Sequence, residues 1–242
     1  MGKVWKVLIG LMVFCLTAMT ALAGDPSTAP RDNEGKKWRI GYLEGGEYPD
    51  YQQISLMIVS GLMDLGWIEP MPLPKEYDKD HRRVWEWLAD NAKSDCVEFV
   101  KDGFYTSHFD ATQRPKTQEN LLRRLNEQKD IDLILAMGTW AGQDLANDRH
   151  SVPTVVASTS NPVASKIILG VDDSGFDHLH AKVEPDRYIL QLRLFHDIIQ
   201  FKSMGLVHED SIEGRTFAAV ADAELVAGER GFELKHCFAR NN

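Results

Sequence analysis

The chain has 242 residues, 43% of them hydrophobic and 26% charged, with a formal charge of −9. This is ordinary globular composition, long enough for one large domain or two lobes. An acidic chain with no basic stripe argues against nucleic acid as a partner.

Residues 1–23 read as a secretory signal peptide. Lys3 and Lys6 precede an apolar run over 7–22, and Ala21-Leu22-Ala23 forms a small-residue cleavage signal. The run falls short of the roughly 20 residues that a spanning helix needs. Bulky Met12, Val13 and Phe14 before Cys15 argue against a lipid-modified cysteine. No other run approaches spanning length, so the mature chain is expected to be soluble and exported, either periplasmic or secreted. Cys96 and Cys237 read as two buried thiols rather than a disulfide. No zinc spacing is present.

Residues 24–37 are polar, with Pro26, Pro30 and Gly35, and read as a flexible leader. Residues 38–44 form the first expected strand, and 45–50 the loop after it. A helix follows over 51–65, with Ile54, Ile58, Leu62 and Leu65 on one face and Gly66 as its stop. Residues 68–77 hold three prolines and read as a surface loop. Residues 80–93 are helical, with Asp80 as cap and Val84, Trp87 and Leu88 sharing a face. The next strand is 96–100, followed by an aromatic, polar loop over 104–110. A helix over 117–128 turns Leu121, Leu122 and Leu125 inward.

Residues 131–162 contain a complete strand–helix–strand unit. The run 131–137 is short and apolar, bounded by Lys129-Asp130 and Gly138. Residues 140–147 suit a short helix capped by Thr139. Residues 153–158 are rich in β-branched side chains and read as a second strand. Such a unit predicts a parallel sheet, whose ligands sit at the carboxyl ends of its strands. Two small polar loops fall there, Gly138-Thr139-Trp140 and Ser158-Thr159-Ser160-Asn161. The first also opens a helix, whose free N–H groups suit an anion such as a carboxylate.

Beyond Pro162 the pattern loosens, and 163–184 reads as a crossover between lobes. A helix is expected over 185–201, with Tyr188, Leu192, Phe195 and Ile199 on one side. Strand 204–208, loop 209–213, helix 214–229 and strand 232–238 follow. Two strands alone make a poor doubly wound lobe, so the chain reads as truncated relative to a larger parent. The expected organisation is an N-terminal lobe over 38–162 and a partial C-terminal lobe over 185–242.

The candidate ligand residues are Tyr48 in the loop after the first strand, Gly138, Thr139 and Trp140, and Ser158, Thr159, Ser160 and Asn161. Glu209, Asp210 and Ser211 would face them from the second lobe. Trp140 either stacks on a ligand or packs. Tyr48 and Tyr51 either close over the site or cover the sheet edge. Glu209 and Asp210 either take a ligand ammonium or are solvated charge. His178 and His180 stand at i, i+2 beside Asp172, Asp173 and Asp177, as a metal pair or a plain polar loop. The G-x-G-x-x-G, G-x-S-x-G, H-E-x-x-H and P-loop signatures are all absent, so neither a cofactor nor an enzyme is expected.

The segment RIGYLEGGEYPDYQQISLMIVSGLMDLGW resembles the opening of ABC-transporter substrate-binding proteins of the tryptophan/tyrosine-type group. LILAMGTWAGQDLA followed by VPTVVASTSNPVASKII is similar to that group's paired signature. The match covers most of 38–238. The resemblance implies α/β architecture of the type I periplasmic-binding kind: two Rossmann-like lobes with parallel sheets, the second incomplete. It further implies a small polar or amino-acid-like ligand clasped between the lobes, with Glu44, Gly45, Gly46 and Tyr48 in one of its binding loops, and delivery to an ABC permease by a monomeric receptor. A ligand-sensing module docking to a sensor kinase or chemoreceptor would share fold and site. Asn161 stands where the group usually carries an aspartate, and 69–95 reads as an insertion.

Overall fold

The computed structural model describes residues 28–75 and 78–239. The expected signal peptide lies outside the described residues. Five strands, β1 (Trp38–Glu44), β2 (Val97–Thr106), β3 (Leu133–Met137), β4 (Thr154–Ala157) and β5 (Leu179–Ala181), pair in parallel in the order β2-β1-β3-β4-β5. Helices α1 (Pro49–Asp64), α2 (His81–Asn91), α3 (Arg114–Glu127) and α4 (Gly138–Leu145) cover the two faces.

Strand alternation decides which side chain meets which layer. In β1, Leu43 points to the α3/α4 side, while Ile40 and Tyr42 point to the α1/α2 side. In β3, Ile134 and Ala136 take the first side, Leu135 and Met137 the second. Leu121, Leu122 and Leu125 of α3 bury against Leu43 and Ile134, as their spacing predicts. On the other side Val59, Trp85 and Leu88 meet Tyr42, Phe99 and Phe104. Central strands covered on both faces read as unbroken apolar runs, which is why β3 and β4 stand out in the sequence.

Helix α1 begins with Pro49 in its first turn and ends in a Schellman motif. Gly66, at φ +77°, donates its N–H to Met63 O, and Trp67 donates to Leu62 O. The core stripe of α1 is Tyr51, Gln52, Ser55 and Val59; Ile54, Ile58 and Leu62 flank it, and Leu65 is exposed. The expected apolar stripe is thus rotated by about one position. In α2 the buried tryptophan is Trp85, with Trp87 only partly covered.

Strand β2 runs through a bulge to Thr106, so 104–106 is strand rather than loop. Ile40 pairs with Phe99 while Tyr42 pairs with Phe104. The displaced carbonyls find side-chain donors: Trp85 Nε1 donates to Val100 O (2.8 Å) and Arg124 Nη1 to Asp102 O (3.0 Å). The span 163–184, read as a crossover, carries β5 on the edge of this sheet. Residues 28–37, read as a flexible leader, are held by indole N–H groups. Trp38 Nε1 donates to Arg31 O and Trp67 Nε1 to Thr28 O.

A second sheet pairs β6 (Ser203–His208) with β7 (Glu233–Phe238), again in parallel. Helices α5 (Arg187–Ile199), α6 (Ile212–Phe217) and α7 (Val220–Arg230) surround it. The expected single helix over 214–229 is two, broken at Ala219, which sits at φ +48°. The core here is small, with Val226, Ala227 and Phe232 buried and Ile189 and Leu192 of α5 partly so. Cys96 and Cys237 are free; Cys237 is exposed, not buried, because β7 leaves one face of the small sheet open.

Candidate functional site

In a sheet of this strand order the ligand crevice lies where the order reverses, between β1 and β3. There Glu44 pairs with Met137, and Met137 with Ala157, so three strands end level. The turns at 45–48, 138–140 and 158–161 therefore emerge side by side on one rim. A methyl built on Gly45 would stand 2.9 Å from Trp140 Cβ, which brings the first two turns into contact. Gly138 is required twice over: its φ is +85°, and a side chain there would overlap the Tyr51 hydroxyl.

Glu44 lies beneath this rim rather than on it. It is 1% exposed. Alternation sends it to the α1/α2 side with Ile40 and Tyr42. Its Oε2 accepts from Tyr42 OH (3.0 Å) and lies 2.8 Å from His81 Nδ1 at the start of α2. Its Oε1 has no hydrogen-bond partner among the described residues. Burial lifts the Glu44 carboxyl above its ordinary range, with His81 and Tyr42 pulling it back. The stretch 69–95 thus reaches the rim from below through His81.

Trp140 is clamped. The Arg114 guanidinium sits 4.6 Å over its ring and the Phe109 ring meets it edge-on at 5.8 Å. Arg114 is itself fixed by Asp144 Oδ1, which accepts from its Nε at 2.8 Å. One face of the indole is therefore used in packing. Thr139 does not cap α4: the helix already begins at Gly138, and its N-cap position is Met137 without a side-chain bond. Tyr48 is exposed and packs edge-on to buried Tyr51 at 5.3 Å. Burial first, and Glu44 second, push the Tyr51 hydroxyl up to about 12.

The loop after β2 joins this rim, a contribution absent from the candidate set. Ser107 Oγ and the Phe109 N–H both donate to Gly45 O at 2.7 Å. His108 Nδ1 lies 2.5 Å from Glu47 Oε1. His108 and Phe109 hold φ of +52° and +54°, and Ser158 holds +57°. Non-glycine residues in this region are strained, and such strain gathers at binding sites. The one sequence signal was aromatic content in a polar loop.

The turn after β4 is half-buried. Asn161 Oδ1 accepts the Ala164 N–H (3.0 Å), so its side chain closes its own turn. Thr159 Oγ1 is buried with no partner among the described residues. Ser158 and Ser160 stand partly exposed beside it.

The second-lobe candidates are not placed together with these. Ser211 Oγ accepts the Gly214 N–H at 2.9 Å and caps α6. Glu209 and Asp210 are exposed. The cleft facing Asn161 is instead lined by α6 and the start of α7. Two larger clefts lie away from the rim. One of about 630 Å³ sits at the amino ends of β1 to β3, around Arg39, Glu98, Lys129 and Asp132. One of about 440 Å³ runs along α1 beside Leu73 and Pro74. Strand topology rather than size singles out the rim. His178 packs its ring against His150 at 4.3 Å, and no cluster suited to a metal ion occurs among the described residues.

No family model matches the chain, and no curated protein matches it significantly. Solved structures do. A domain in complex with L-Trp from Streptococcus pneumoniae superposes with a TM-score of 0.58 at 18% identity, over 84% of this chain and 58% of that one. A conserved domain protein from Vibrio cholerae gives 0.56 at 15% identity, over the same shares of the two chains. A leucine-binding protein from Thermotoga maritima gives 0.52 at 13%, over 84% of this chain and 49% of that one. This is the type I periplasmic-binding fold. The chain spans under two thirds of these structures' length, in accord with a second sheet of two strands.

Proposed function

We propose, with the type I periplasmic-binding fold as premise, that this chain is the solute-binding component of an ABC importer. It acts outside the cytoplasm, takes up a small polar or amino-acid-like ligand between its lobes and hands it to a membrane permease. The observation that carries this reading is the level ending of β1, β3 and β4, which gathers three small, polar turns at the point of strand-order reversal. The N-terminus of α4 at Gly138 opens on this rim, where its first-turn N–H groups suit a polar group of the ligand. Gly45, Gly46, Tyr48, Gly138, Thr139, Ser158, Thr159 and Ser160 are the ligand-facing set, joined by Phe109. Trp140 shapes this set from behind, and Glu44 supports it from below. Asn161 fixes the turn that carries it.

Closure of the second lobe over this rim would replace the ligand's water with these groups. Among the described residues no helix is long and apolar enough to cross a membrane, so in this reading membrane delivery falls to the permease. Calorimetry of the full chain against L-tryptophan, L-leucine and a panel of small metabolites tests the proposal. Binding with 1:1 stoichiometry is expected for at least one compound, and silence across the panel refutes it.

A further inference from the structure

The geometry points to Arg215, on α6, as the second-lobe group that takes the carboxylate of a small ligand with an apolar body. This inference rests on the receptor reading above and replaces the expected role of Glu209 and Asp210. Three observations carry it. First, a cleft of about 240 Å³ separates Asn161 and Ala164 of the first lobe from α6 and the start of α7. Asn161 belongs to the turn after β4, so this cleft continues the rim instead of forming a separate site. Second, Arg215 and Thr216 are on its lining, whereas Glu209, Asp210 and Ser211 are not. The left-handed Ala219 ends α6 and starts α7 on the same wall. Third, the rest of that wall is mostly apolar, with Ile212, Val220 and Ala221, and Asp222 is its one acid. Arg215 is the one cation on this wall, and it is the group there that suits a carboxylate on an aliphatic or aromatic body.

Arg215 has a partner now, and the partner is replaceable. Its Nη2 donates to Glu224 Oε1 at 3.1 Å, with both side chains nearly half exposed. Half-exposed pairs of this kind hold weakly. Glu224 also has His236 Nε2 at 3.7 Å, so it is not stranded when Arg215 turns to a ligand. The planar fork of arginine then meets both carboxylate oxygens, which a lysine would not do.

The test is titration of the full chain and its variants with L-tryptophan, L-leucine and tryptamine, the last lacking a carboxylate. For whichever amino acid binds the unaltered protein, Arg215→Gln is expected to weaken binding by about tenfold or more. Tryptamine binding should change little. Glu224→Gln frees Arg215 and should tighten amino-acid binding by roughly two- to fivefold. Glu209→Gln and Asp210→Asn should leave affinity within about twofold. Unchanged affinity in both Arg215→Gln and Glu224→Gln, or a loss confined to the Glu209 and Asp210 variants, overturns the assignment while the receptor reading stands. If the unaltered protein binds none of the three compounds, the assignment falls with that reading.

Discussion

The two lobes share a parallel α/β plan and differ in how fully it is carried out. In the first, both faces of a five-stranded sheet are covered, and Leu43, Leu121, Leu122 and Ile134 are almost wholly withdrawn from water. In the second, a two-stranded sheet is backed mainly by α7, which buries Val220, Ala223, Val226 and Ala227 beside Phe232, and α5 has no buried residue at all. Leu190, Leu194 and Ile198, one helical turn apart, point to solvent; Leu194 is 61% exposed. The same local pattern, an amphipathic helix beside a strand, yields a core only where enough neighbouring strands exist for the helix to lie on. Sequence periodicity reports the capacity for burial and not its fulfilment.

That difference is open to direct attack, beginning where the effect is largest. Leu122→Ala removes a fully enclosed side chain and should cost about 2–5 kcal/mol, read from urea denaturation. Leu194→Ala, the equivalent change on α5, should stay within about 0.5 kcal/mol. Equal losses at the two sites would mean that α5 is covered after all. Amide exchange should show the same ordering, with 187–238 exchanging through openings that leave β1, β3 and β4 protected.

Next in size is the buried link between α2 and the rim. His81→Ala leaves the Glu44 carboxylate enclosed with Tyr42 as its remaining donor, and should cost about 3 kcal/mol. His81→Gln retains a side-chain amide for hydrogen bonding and should recover part of that loss. If His81→Ala is silent in denaturation, α2 does not support the rim.

How far the sequence speaks follows the same division. β3 and β4 were legible because fully covered strands are continuous apolar runs. The second half of β2 was hidden: Lys101, Asp102 and Gly103 form the bulge, and polar bulge residues look like a loop. β5 escaped because three residues on a sheet edge carry no periodicity. The break at Ala219 has no local signal, since alanine favours helix and only tertiary context puts it in the left-handed region. Of the candidate site, the three turns were readable because small polar residues follow apolar runs. The inward course of Glu44 was readable too, had period 2 been carried two residues past Tyr42. Phe109 was not, because its place beside Gly45 depends on a strained loop and a contact 64 positions along the chain.

The smallest expected effect contrasts two aspartates in loops at strand ends, Asp110 partly exposed and Asp210 exposed. Asp110 Oδ1 accepts from the Thr112 N–H at 2.8 Å and from Thr112 Oγ1 at 2.7 Å, and its Oδ2 accepts from Gln113 Nε2 at 2.9 Å. These bonds hold its carboxyl at about 2, below the ordinary 3.8. A depressed folded value means that the charged form is favoured by folding. The stabilisation is complete above the unfolded value and disappears as pH falls through the folded one. Asp110→Ala should therefore lower Tm by a constant amount between about pH 5 and 7, and the gap to the unaltered protein should close between 3.8 and about 2. Asp210, after β6, accepts no hydrogen bond among the described residues, and Asp210→Ala should leave Tm unchanged at neutral pH. A matching loss at Asp210 would show the second lobe's loop to be as firmly built as the first's. The contrast between the lobes would then stop at their cores.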